Sequence, residues 1–255
     1  MSDYPLEQIE YRIKGTGNPP ILLLHGWGGS YKALDVLGEP LAQHRRIFSV
    51  SLPGFGASPE PAEAWNASDY SNVVKNWLDR QGIETVDIIA HSFGGRIAIG
   101  LAANYPRSVG RLVLMASAGI KPRRSIRTRL KIRTARGLKR AASILGGRYL
   151  QIMDRWRDRL GSQDWKLSSP AMRRILVNIL DEDQSETIAR ITVPTLLIWG
   201  NKDTATPLWM GEKMNRLIRG SKLVTVEGAG HFCYLEQKGE VLAEIWKHLQ
   251  LPSAW

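Results

Sequence analysis

Residues 86–102 read VDIIAHSFGGRIAIGLA, and the rest of the chain is interpretable outward from them. A short β-branched run, Val86, Ile88 and Ile89, meets Ser92, and a helical pattern begins at once. A strand, a tight strained turn carrying a serine, and a helix together make a nucleophile elbow. Such a turn requires small neighbours. Ala90 stands two before the serine, Gly94 two after, and Gly95 comes next. The elbow lifts the hydroxyl out of the sheet and leaves the Phe93 backbone N–H, at the helix N-terminus, free to bind an oxyanion. The pattern G-x-S-x-G has Ala90 in place of its first glycine, a departure of one methyl group. The alternative is a serine that merely caps an ordinary strand-to-helix turn.

Composition bounds the frame around this stretch. A chain of 255 residues, 43% apolar and 23% charged, has the size and polarity of one sizeable globular α/β domain with room for an insertion. No apolar run approaches the roughly 20 residues that span a bilayer. The opening MSDYPLEQIEYRIKG lacks the basic start and apolar core of a signal peptide. The single Cys233 excludes an internal disulfide and suits a reducing compartment, so a cytoplasmic location is expected. No Cys/His cluster has metal-ligand spacing, and neither a metal nor an organic cofactor is expected.

Strands and helices alternate along most of the chain. Residues 9–15 read as an antiparallel edge strand, and 19–26 as a buried strand that is apolar on both faces. Further strands are expected at 45–54, 109–117, 194–200 and 222–228, besides the one that enters the elbow. Helices are expected at 31–43, 68–81 (with Ser68 and Asp69 as cap candidates), 207–218 and 238–249. The alternation predicts a mostly parallel, doubly wound sheet. Residues 119–189 break it: they hold no strand-like run and look helical. The expected organisation is therefore a core of 1–118 and 190–255 with a helical cap, or lid, at 119–189. An insertion there lies over the C-terminal strand ends, where α/β sheets hold ligands.

The net charge of +11 concentrates in this insertion. Residues 121–159 hold 14 Lys or Arg against Asp154 and Asp158, a net +12, while the remainder has 21 basic and 22 acidic residues. Any charge argument belongs to the insertion.

A serine hydroxyl is a poor nucleophile at neutral pH without an adjacent base. Of five histidines, His44 and His248 fall in polar helical stretches and read as solvated. His25 ends an apolar strand and reads as structural, shaping the loop HGWGG. His91 should point away from Ser92. His231, in the Gly-rich loop VEGAGHF after the last strand, is placed to act as base. Asp203, in WGNKDTATP beyond another strand, is the candidate acid; its plainer role is a turn or helix-cap aspartate. The order Ser92, Asp203, His231, each at a strand end, matches the order of one known triad arrangement. The second oxyanion donor is expected in the loop His25-Gly26-Trp27-Gly28-Gly29, with the Trp27 amide paired to that of Phe93. One lost donor costs about 2.7–4 kcal/mol at such sites.

LLLHGWGGS, SLPGFGASP, AHSFGG, LLIWGNKDTATP and GAGHF resemble successive landmarks of the α/β-hydrolase superfamily, from residue 20 to residue 235. The resemblance covers the core and leaves out the cap. It implies the α/β-hydrolase fold and nucleophilic serine chemistry: Ser92 attacks a carbonyl, His231 takes its proton, and Asp203 orients the histidine. Family members with serine here are mostly carboxylic-ester hydrolases, with C–C bond hydrolases, lactonases, perhydrolases and thioesterases as minorities. The serine argues against the members that use an aspartate nucleophile. A small-molecule ester is the expected substrate. A non-catalytic ligand receptor on the same fold is the rival from another class.

Within the insertion, residues 125–145 read SIRTRLKIRTARGLKRAASIL, placing Ile126, Leu130, Leu138, Ala142 and Leu145 on one helix side with basic residues around the others. Arg123, Arg124, Arg127, Arg129, Lys131, Arg133 and Arg136 are candidates for meeting an acidic carrier protein or an anionic surface. The plainer reading is a lid whose charges are solvated. The HGWG and LPGFG segments also resemble the pimeloyl–acyl-carrier-protein methyl ester esterases, which implies a carrier-linked acyl ester as an alternative substrate. No nucleic-acid recognition module is visible.

Overall fold

The computed structural model describes residues 4–121 and 168–252. One sheet of seven strands holds the chain: β1 (Tyr11–Lys14), β2 (Ile21–Leu24), β3 (Ile47–Val50), β4 (Val86–His91), β5 (Val109–Met115), β6 (Thr195–Gly200) and β7 (Lys222–Val226). Their spatial order is β1-β3-β2-β4-β5-β6-β7. Among the described strands only β1 runs antiparallel, pairing Tyr11 with Val50 and Lys14 with Ile47. The expected edge strand and parallel sheet are both present. The chain moves outward from β2 to β3, then returns to the other side of β2 as β4. The topological switch point therefore lies between β2 and β4, where open α/β sheets bind ligands beyond the strand C-termini.

Alternation along the central strands divides the core into two layers. Leu22 and Leu24 of β2, with Ile88 and Ala90 of β4, face α2 (Ala67–Arg80) and α3 (Phe93–Asn104) through Val73, Trp77, Ile97 and Leu101. Ile21, Leu23 and Ile89 point to the other side, against Leu37 and Leu41 of α1 (Asp35–Leu41) and Val241 and Ile245 of α8 (Lys238–His248). Side chains covered on both faces explain why β2 is apolar without interruption and why β4 departs from that only at Asp87 and His91. α3 is buried from Phe93 to Ala102, and this is why its sequence lacks a polar face.

Some expected boundaries shift. The helix over 31–43 shortens to α1, and the Tyr31 N–H ahead of it donates to the Ser51 hydroxyl at 3.0 Å. The cap of α2 is Asn66 rather than Ser68 or Asp69. Its side chain accepts from the Ser68 and Asp69 N–H groups, and the Asp69 carboxylate accepts from the Asn66 N–H, a reciprocal capping box. Beyond β5 the described residues contain α4 (Pro170–Asp181) and α5 (Ser185–Ile188), followed after β6 by α6 (Leu208–Leu217) and after β7 by α7 (Cys233–Glu236). The basic helix expected over 125–145 and the candidate residues Arg123, Arg124, Arg127, Arg129, Lys131, Arg133 and Arg136 lie outside the described residues. Among the described residues no helix is long and apolar enough to cross a membrane.

Candidate active site

The strand-to-helix turn after β4 is strained. Ser92 has φ 51° and ψ −110°, a region that L-residues with a side chain rarely adopt, at a cost on the order of 1–3 kcal/mol. Neighbouring strand ends hold it there. The Ser92 N–H donates to the Met115 carbonyl at 3.1 Å, and the Ser92 carbonyl accepts from Gly95 and Ala118, each at 3.0 Å. The Gly94 N–H donates to the His25 carbonyl at 3.0 Å, tying the elbow to the end of β2. A Cβ on Gly94 would stand 2.4 Å from the Leu24 carbonyl oxygen, so only glycine fits the approach. The Ser92 side chain makes no capping bond to α3. The alternative of a simple capping serine is thereby overturned.

Three side chains from three strand ends meet here. His231 Nε2 lies 3.0 Å from Ser92 Oγ, and His231 Nδ1 lies 2.8 Å from Asp203 Oδ2. Asp203 follows β6 and is fully buried at its carboxylate; His231 follows β7 and keeps about a fifth of its side chain exposed. An ionised carboxylate only accepts, so Nδ1 carries the imidazole proton and the Nε2 lone pair faces the serine hydroxyl. Asp203 makes both contacts open to it, one on each oxygen. Oδ1 accepts the backbone N–H groups of Ala205 (2.8 Å) and Thr206 (2.9 Å), closing the turn before α6, while Oδ2 meets the histidine.

Thr206 is a participant that sequence reasoning missed. Its hydroxyl lies 2.8 Å from Asp203 Oδ2 and 2.9 Å from the Ala116 carbonyl oxygen. Burial pushes the Asp203 carboxyl up. The hydrogen bonds from His231 and from the Thr206 backbone, the charge of His231 and the Thr206 hydroxyl outweigh that push and leave the carboxyl below its usual range. The DTAT spacing was visible, but it signalled only a turn.

The remaining histidines sort by contact. His25 is buried, donates from Nδ1 to the Gly26 carbonyl (2.7 Å), and accepts the Leu52 N–H at Nε2 (2.9 Å). It joins the loop after β2 to the loop after β3, the structural task expected of it. His91 does turn away from Ser92. The solvated reading of His44 and His248 is corrected: His44 stacks edge-on against Trp246 with ring centroids 5.0 Å apart, and His248 Nε2 is buried. The first contact comes from α8 packing beside the turn after α1 and the second from α8 lying against residues 111–112 and 194, which no local segment signals.

The Phe93 and Trp27 amides have no acceptor among the described residues. The Trp27 ring packs edge-on against Phe55 (5.0 Å) and Phe93 (5.1 Å), and its Nε1–H donates to Ser168 Oγ at 3.2 Å. A cavity of about 220 Å³ opens beside it, lined by Trp27, Phe55, Glu60, Ser168, Ser169 and Met172 with the loop glycines between them. Met172 is buried and still lines this space, so it is core and pocket wall at once. Among the described residues no group of three or more His, Cys, Asp or Glu is placed to hold a metal ion.

Residues 19–238 match the alpha/beta hydrolase fold family, and the chain belongs to that family. It is 28% identical over 88% of its length to the 2-hydroxy-6-oxo-2,4-heptadienoate hydrolase of Pseudomonas putida, covering 86% of that protein. It is 26% identical to the pimeloyl-acyl-carrier-protein methyl ester esterase of Aliivibrio fischeri, over 93% of this chain and 95% of that one. The solved esterase of Exiguobacterium antarcticum shares the fold at a TM-score of 0.75 and 22% identity, with 95% of each chain covered.

Proposed function

We propose that the protein is a serine hydrolase that cleaves carboxylic esters by two-step acyl transfer, with Ser92 as nucleophile, His231 as general base and acid, and Asp203 as the residue that orients the histidine. The observation that carries this reading is the unbroken Ser92–His231–Asp203 chain, with bonds of 3.0 and 2.8 Å, on a serine held at φ 51°. His231 removes the Ser92 proton as the hydroxyl attacks the ester carbonyl. Asp203 stabilises the imidazolium without taking its proton. The Trp27 and Phe93 amides, unclaimed by other described residues, bind the oxyanion. His231 then protonates the departing alcohol, and water, deprotonated by the same base, releases the acid. Residues 119–189 act as the cap. In support, Ser168, Ser169 and Met172 reach the cavity beside Trp27.

The test is covalent. A fluorophosphonate should label Ser92, the label should disappear in Ser92→Ala, and a graded series of acyl esters should be turned over. A protein that neither labels nor hydrolyses any short ester is the ligand receptor instead.

One observation favours a second substrate class, an acyl ester carried on an acidic protein. It is the likeness to the carrier-protein methyl ester esterase over nearly both full lengths, joined to the net +12 of residues 121–159. Turnover of a carrier-linked ester should then fall steeply with salt while that of the free ester does not. Equal salt responses reject it.

A further inference from the structure

The base of the triad sits on a loop, and the structure shows what holds that loop against the nucleophile strand. His91, the last residue of β4 and the neighbour of Ser92, is 2% exposed. Its Nε2 lies 2.9 Å from the backbone carbonyl oxygen of His231. A carbonyl can only accept, so His91 carries its proton on Nε2 and donates. The His91 ring centroid lies 4.8 Å from that of His231, 5.3 Å from Phe232 and 5.0 Å from Tyr234, so the ring supports the loop that it bonds. On its other side, a Cβ on Gly26 would come within 2.9 Å of His91 Nδ1; the imidazole fills the space between the oxyanion loop and the base loop.

We infer that His91 is a positioning residue for the hydrolytic reaction: its Nε2–H clamps the His231 main chain to β4, so that nucleophile and base are referred to adjacent residues, the last of β4 and the first beyond it. The inference rests on the proposed serine-hydrolase reading for its kinetic consequence, but the clamp itself is independent of that reading. Ser92 gains its base by a contact 139 positions away in sequence, and the bond from the residue beside it spans 140. Two bonds from consecutive residues, His91 at the end of β4 and Ser92 in the turn after it, fix the position of His231 and the height of its main chain over the elbow. Without the second, the imidazole keeps Asp203 as a partner but loses its anchor to β4.

Two variants separate the donor from its bulk. His91→Leu keeps an apolar side chain of similar size and removes the donor; His91→Gln restores an amide N–H at about the position of Nε2. In His91→Leu, kcat for an ester should fall about tenfold to a hundredfold, the cost of a misplaced catalytic group. KM should stay within about threefold and fluorophosphonate labelling of Ser92 should slow by the same factor as kcat. His91→Gln should recover most of that loss. Independently of turnover, the ¹⁵N resonances of His91 should show the Nε2–H tautomer, and amide hydrogen exchange across residues 228–233 should accelerate in His91→Leu but not in His91→Gln. Equal losses in both variants, a defect confined to KM, or a His91 protonated at Nδ1 overturn the clamp. A parent protein with the expected tautomer and exchange pattern but no labelling or ester turnover overturns the serine-hydrolase reading and leaves the clamp standing.

Discussion

The elbow after β4 and the loop after β7 each deliver one reactive group, and they are built in opposite ways. The elbow is written within a single stretch. Strand, serine, glycines and buried helix follow one another over residues 86–104, and its supporting bonds go to the immediately neighbouring strands β2 and β5. The His231 loop has little local structure of its own. Its position is borrowed mainly from distant partners: Asp203 at the ring, His91 at the carbonyl, and the Lys202 N–H donating to the Ala229 carbonyl (2.9 Å), with one local bond from the Gly230 N–H to the Glu236 carboxylate (2.9 Å). One reactive group is thus set by strain in a rigid turn, the other by a set of bonds that close only in the finished fold. Damage to the first should alter stability and activity together. Damage to the second should spare stability.

The largest test of that contrast is Ser92→Gly. Removing the hydroxyl should lower ester turnover by at least about 10⁴-fold. Glycine relieves the positive φ, so the same variant should be more stable than the parent by about 1 kcal/mol in chemical denaturation. A variant that loses activity without gaining stability would mean the turn stores no strain. Asp203→Asn comes next. The retained Oδ1 still accepts the Ala205 and Thr206 N–H groups, so the melting temperature should move little, while kcat falls by about 10⁴ because the histidine loses the tautomer it needs.

Gly94→Ala probes the rigid side by steric means. Its new methyl meets the Leu24 carbonyl, and the fold should lose about 1–3 kcal/mol with an accompanying loss of activity. Thr206→Val sharpens the borrowed side: losing one bond to the Asp203 carboxylate should cost about tenfold in kcat/KM. An unchanged rate would assign the threonine hydroxyl to the Ala116 carbonyl alone.

A prediction of a different kind concerns stability in mild acid. Burial, reinforced at His91 by the charge of His231, lowers His25 and His91 from 6.5 to about 4. Their unfolded forms take up protons below about pH 6.5, whereas the folded forms stay neutral until about pH 4. The unfolded state therefore binds more protons throughout that window, and stability declines by a few kcal/mol as pH falls across it. Urea midpoints between pH 7 and 4 measure this, and a flat profile would show that neither ring is held neutral.

The contrast also explains what could be read in advance. Buried parallel strands are predominantly apolar, so β2, β4, β5 and β6 stood out, as did the elbow, where Gly94 answers to contact with the end of β2. The order Ser92, Asp203, His231 was legible because each residue closes a strand. Asn66 was overlooked as a cap because it lies before the helical pattern. Thr206 and His91 were overlooked for a different reason: each acts through a bond to a residue that is remote in the chain or already spoken for by a turn.

The amino-acid sequence by itself determined the alternation of strands and helices, the strained serine turn and the three candidate side chains, because those depend on apolar periodicity and on residues within a few positions of one another. Tertiary structure alone decided that β2 lies beside β4, that His231 comes to 3.0 Å from Ser92, and that Thr206 and His91 bond Asp203 and the His231 main chain. Hydrogen bonds across 139 and 140 positions leave no periodic trace in the chain. They exist only after burial of the two core layers has brought the strand ends together.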